Sequence, residues 1–215
     1  MILTSFSNFD RQVYNRNVIF KFLSLMFLIA WLCFFYTAID KTDWWIENIL
    51  VLLFTSGLIL FQRKFLFSDW ALIFIFSFLF LHIYGARMAY TQNELGEFFK
   101  NKWDLSRNPY DRIVHFGFGF LMAYPVMDLL YTKYAVPKKW IFIIVNMVIL
   151  SFATIFELIE WGVSAFTDKV TGETYVASQG DPWDAQKDTI LALLGSIIFL
   201  AIFRLLHTTN ANKYQ

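Results

Sequence analysis

Six runs of roughly twenty apolar residues recur along the chain. A run of that length is the signature of a membrane-crossing helix, because only a helix satisfies its own backbone polar groups in hydrocarbon. The pattern predicts spans over about 18–39, 44–61, 69–90, 109–131, 140–166 and 183–206. The expected fold class is therefore all-α, a polytopic integral membrane protein built as a bundle of about six transmembrane helices. No linker or low-complexity stretch divides residues 1–215, so one transmembrane domain is expected. Only 16% of the residues are charged and 20% are aromatic, whereas a soluble domain carries about 25% charged residues. A net charge of +1 gives no electrostatic case for nucleic acid as a partner. The single cysteine, Cys33, excludes an intramolecular disulfide. The mixed residues ahead of a first apolar run this long predict a retained span rather than a cleaved signal.

The connections are short except for two polar stretches, Thr91–Asn108 and Thr167–Gly180. Of the eighteen Lys and Arg, ten fall at the end of the bundle that carries both termini and eight at the other. That majority places the termini in the cytoplasm. Acids are far more lopsided. Asp10, Asp69 and Asp128 lie on the terminal side and the other fourteen lie opposite.

Six alternating spans bring the border polar residues to a common depth. His82 and Arg87 lie late in the third span, and Asp111, Arg112 and His115 open the fourth. Glu157 and Glu160 lie late in the fifth, and Asp181, Asp184 and Asp188 open the sixth. All belong to the leaflet facing away from the termini. Asp111 and His115 are four apart, as are Asp184 and Asp188, and Glu157 and Glu160 are three apart; each pair shares a helical face. Asp181 before Pro182 is a helix-start signal, and Asp184 suits a first turn. Asp188 has no capping role and reads as a site residue. The two re-entering helices start alike, Asn108-Pro109-Tyr110-Asp111 and Asp181-Pro182-Trp183-Asp184. Gly117, Gly119 and Gly195 would let helices approach closely.

Three chemistries suit such a set. His115, Glu157, Glu160, Asp184 and Asp188 can ligate a divalent metal, Mg²⁺ or Mn²⁺ with oxygen ligands or Zn²⁺ with imidazole. Asp111, His115, Glu157, Glu160, Asp184 and Asp188 can act as general acids and bases. The carboxylates can instead pair with Arg87, Arg112 and Lys187 as structural ion pairs. His82 stands between a core histidine and a ligand. No serine has a nucleophile context, and Cys33 lies at the wrong depth.

Three motifs in order carry a family resemblance: Arg107-Asn108-Pro109-Tyr110-Asp111-Arg112-Ile113-Val114-His115-Phe116, Phe156-Glu157-Leu158-Ile159-Glu160-Trp161, and Gln179-Gly180-Asp181-Pro182-Trp183-Asp184-Ala185-Gln186-Lys187-Asp188. With His82-Ile83-Tyr84-Gly85-Ala86 they resemble the YjdF-like family of bacterial inner-membrane proteins, a resemblance that covers most of the chain from the second span onward. More loosely, the order Asp/His, Glu, Asp is similar to VanZ-like membrane proteins. The resemblance implies an inner-membrane location and supplies no reaction. The function expected is a metal-binding enzyme acting on a lipid or lipid-linked substrate at the outer-leaflet interface. Arg87 and Arg112 would then neutralise an anionic headgroup, with Trp161 and Trp183 beside the substrate. A proton- or cation-coupled transporter using the same carboxylates is the alternative. It ranks second because no span shows an obvious mid-membrane proline break. A membrane factor with a purely structural polar network is the third.

Overall fold

A computed structural model describes residues 16–65, 67–167, 172 and 176–211. Its helices are α1 (Arg16–Thr37), α2 (Lys41–Phe65), α3 (Asp69–Ala86), α4 (Glu94–Trp103), α5 (Tyr110–Thr132), α6 (Lys138–Phe166) and α7 (Asp184–Ala211). All but α4 are long and apolar enough to cross a membrane. No strand occurs among the described residues. Arg11, Lys169 and Lys213, which enter the orientation count, lie outside them.

Where helix ends differ from expectation, local hydrogen bonds explain it. Asp40 Oδ1 accepts from the amides of Thr42 (2.7 Å) and Asp43 (3.1 Å), so α2 starts with a capped turn at Lys41, ahead of the span expected from residue 44. The third span stops at Ala86, short of Tyr90. Ala89 and Tyr90 take left-handed backbone angles, φ 49° and 42°, and the Tyr90 amide returns to Gly85 O at 3.1 Å. The stretch Thr91–Asn108 is not a plain loop. Asn93 Oδ1 caps Leu95 and Gly96 and starts α4, and left-handed Asp104 ends it. Pro125 lies inside α5, which stays helical through it.

The bundle is built around α5 and α7, which make the most extensive pairing; α3 packs on α5, α6 on both, and α1 on α3. In lipid, helices gain little from mutual apolarity, so close contact relies on small residues. A side chain on Gly119 would strike the Ala192 carbonyl, and one on Gly195 would strike the backbone at Phe116 and Phe120. Gly119 and Ala192 each lie eight residues after the opening aspartates, Asp111 and Asp184. The two helices therefore run parallel and in register, with the matching Asn-Pro-Tyr-Asp and Asp-Pro-Trp-Asp starts at one height.

Two apolar cores follow. One joins α1, α2 and α3 through Phe27, Trp44, Phe76 and Ile83. The other joins α5, α6 and α7 through Ala123, Val145, Ile149 and Phe199. Phe22, Ile29, Leu60 and Leu158 point outward, as lipid-facing side chains do. Slender α2 leans on α3 and leaves a gap towards α6. A cavity of about 550 Å³ fills that gap, walled by Leu50, Leu53 and Phe54 on α2 and by Phe152, Ile155 and Ile159 on α6.

Candidate functional site

The end of the bundle where α3 and α6 finish and α5 and α7 begin gathers the buried polar residues. Asp111 and His115 occupy one face of α5, His115 Nε2 lying 3.6 Å from Asp111 Oδ1. The same Nε2 lies 3.3 Å from Glu157 Oε1 on α6. Asp188, a turn into α7 and 1% exposed, completes the group: ligand atoms of Asp111, His115 and Asp188 lie within 4.8 Å of one another. Glu160 is buried on α6 and lines the cavity with Asp111 and His115. Buried carboxylate oxygens of Asp43, Asp69, Glu157 and Asp188 have no hydrogen-bond partner among the described residues, and of these Glu157 and Asp188 belong to this group.

Asp184 is drawn away from this group. It is the first residue of α7, and the buried Arg107 guanidinium grips it as an ion pair. Arg107 also donates to Ser178 O (3.0 Å) and Ala177 O (3.1 Å) and lies 3.9 Å from Asp111. The segment it fastens is strained, with Ala177, Gln179 and Gly180 all at positive φ. Gln179 and the Asn108 backbone exchange a reciprocal pair of hydrogen bonds at 2.9 and 3.0 Å. Two connections, 104–109 and 177–183, are thereby stitched together over the cluster.

The outer rim is polar and charged. Asp181 Oδ2 receives Lys187 (2.5 Å) and Arg112 (2.6 Å), and its Oδ1 caps the Trp183 amide. These bonds, Lys187 first, hold the Asp181 carboxyl down at about 2. Arg112 also lies 3.5 Å from Asp184. Arg87 sits apart from the cluster. It pairs with Glu94 at 2.8 Å and stacks over Phe34 and Tyr84. Trp161 (68% exposed) and Trp183 (63%) face outward rather than lining the cavity. Arg87, beyond the end of α3 and held by Glu94, and the exposed Trp161 and Trp183 thus lie away from the buried cluster.

Several members were not anticipated from sequence. Glu47 on α2, 5% exposed, lines the cavity with Asp111 and Glu160. Its signal was present: Asp43 and Glu47 are four apart at the same depth as the other pairs. His82 joins it, Nε2 lying 3.9 Å from Glu47 Oε2. Tyr90 OH bonds His82 Nδ1 at 2.6 Å, and burial raises its phenol well above the usual value. Arg107, in the polar stretch Thr91–Asn108, reads from the sequence as one of its loop charges and is instead buried.

The cavity runs from this polar end along α5 to Leu129, about 27 Å at roughly 1.5 Å per residue. Apart from the residues named above, its walls are overwhelmingly apolar.

A family model described as "Predicted membrane protein (DUF2238)" matches residues 19–209. The chain belongs to this family. It is 31% identical over 172 residues to "Inner membrane protein YjdF" of Escherichia coli strain K12, covering 78% of this chain and 81% of that protein. No solved structure matches the chain. The DUF2238 match covers every span-length helix, so the polytopic helical membrane fold and the YjdF-like resemblance both stand.

Proposed function

We propose that this DUF2238 protein is a metal-dependent enzyme of the inner membrane, acting on a lipid or lipid-linked substrate at the outer-leaflet interface. Asp111, His115 and Asp188 would ligate the ion, a mixed nitrogen and oxygen set suited to Zn²⁺ or Mn²⁺ and, through the carboxylates, Mg²⁺. Glu157 and Glu160 would flank it as ligands or acid and base groups, and Asp184 would act through Arg107. Both termini would be cytoplasmic. One observation carries this reading: a long apolar cavity between α2 and α6 ends on Asp111, His115 and Glu160, beside Asp188, whose buried Oδ1 lacks a hydrogen-bond partner among the described residues. Buried polar atoms rarely lack partners, and such atoms call for a ligand or a catalytic role. The apolar walls suit an acyl or isoprenoid chain, and the polar end lies at headgroup depth.

The test is the metal content of detergent-purified protein, measured by mass spectrometry for wild type, His115→Ala and Asp188→Asn. Near-stoichiometric divalent metal in wild type, lost from both variants while their helical signal and melting persist, is the expected result. Wild type that stays metal-free after incubation with Mn²⁺ and Zn²⁺ would remove the metalloenzyme reading and favour proton- or cation-coupled transport by the same carboxylates.

A further inference from the structure

The polar end of the cavity is lined by acids, histidines and a tyrosine. Glu47 reaches it from α2, Asp111 from α5 and Glu160 from α6; among the described residues His82, His115 and Tyr90 are its other titratable groups, and no Lys or Arg lines it. The arginines nearby are engaged at the rim, Arg107 with Asp184, Arg112 with Asp181 and Arg87 with Glu94. A metal on Asp111, His115 and Asp188 would leave Glu47 and Glu160 without a cation. Glu47 has no ion pair with Lys or Arg among the described residues, and His82 Nε2 lies 3.9 Å from its carboxylate. A buried acid without a cation is costly at this depth. It is also held in place. His82 Nε2 lies 3.3 Å from the Glu47 carbonyl, and Tyr90 fixes the other edge of the ring. Tyr90 does so from a left-handed backbone, a strained state that persists only where surroundings enforce it.

We propose that the cavity binds a long-chain amphiphile with a primary ammonium headgroup, the chain lying along α5 and the ammonium held between Glu47 and Glu160. This rests on the lipid-substrate reading above and narrows its headgroup. The N–H donors of one ammonium match the acids that α2 and α6 present to the cavity, Glu47 and Glu160.

The experiment compares oleylamine, oleyl alcohol and oleyl phosphate bound to wild-type protein in maltoside micelles with EDTA, read by native mass spectrometry. Oleylamine is expected to be retained about tenfold more tightly than the alcohol, the scale of one charged hydrogen bond. Glu47→Gln should erase that preference, and Glu94→Gln, outside the cavity, should keep it. Equal retention of amine and alcohol, a preference for the phosphate, or a preference surviving in Glu47→Gln would overturn the proposal. A phosphate preference would leave the lipid reading standing, whereas retention of none of the three would remove both. Should Glu47→Gln fail to fold, the wild-type comparison still decides.

Discussion

Arg107 shows how much a single buried charge can organise. Its guanidinium serves Asp184, two loop carbonyls and, at longer range, Asp111. Arg107→Ala would leave Asp184 buried without its main counter-charge and two carbonyls without donors. Breaking a buried pair this way costs about 3–5 kcal/mol, so a large fall in melting temperature in detergent is expected. Arg107→Lys should recover only part of it, since a point charge cannot serve two carbonyls and a carboxylate as a planar fork does. Asp181 makes a contrasting case at the exposed rim. Its carboxyl is depressed from 3.8 to about 2 by Lys187, the Trp183 amide and Arg112. A depressed acid stabilises the fold above its ordinary value and loses that contribution as pH falls through the folded one. The melting difference between wild type and Asp181→Asn should therefore be full near neutral pH and shrink between about pH 4 and pH 2. Sequence alone put Arg107 among loop charges, because nothing local says that residues seventy positions away will curl over it.

The elements were far more legible than their joints. Apolar run length marked all six spans, since the bilayer imposes that length whatever the tertiary contacts. The turn at 87–90 and the helix 94–103 escaped, because left-handed Ala89 and Tyr90 carry no glycine signal and α4 is only ten residues long. Equal spacing within the two helix starts did foreshadow the in-register pairing of α5 with α7. That pairing makes a controlled prediction. Gly119→Ala drives a methyl into the Ala192 carbonyl, where rigid backbone must move, at a cost of about 1–3 kcal/mol. Gly57 and Gly162 have open space around the same position. Alanine there should be neutral or stabilise by up to about 1 kcal/mol through helix propensity. SDS titration of purified variants, read by circular dichroism, separates the two; equal behaviour of all three would mean the close crossing is not a stability determinant.

At the scale of the molecule, the cluster was legible because topology alone gathers Asp111, His115, Glu157 and Asp188 at one depth. The cavity was not, since its existence depends on α2 standing away from α6, and hydropathy is blind to such a gap. The gap joins two features that a structural polar network would have no reason to combine. A buried carboxylate and histidine cluster sits at one end, and an apolar trough extends for nearly the thickness of a bilayer's hydrocarbon core, about 30 Å. If the trough holds a substrate chain, the two should be separable by mutation. Met122 lines the trough on α5, two turns beyond His115 and about 10 Å along the helix axis. Met122→Trp adds bulk there without touching a ligand. It should lower lipid retained through purification several-fold, measured by mass spectrometry of extracted lipid, and leave bound metal at the wild-type level. Asp188→Asn should do the reverse, losing metal while keeping the chain. Parallel loss of both in either variant would instead mean that trough and cluster form one packing unit, as a purely structural network requires.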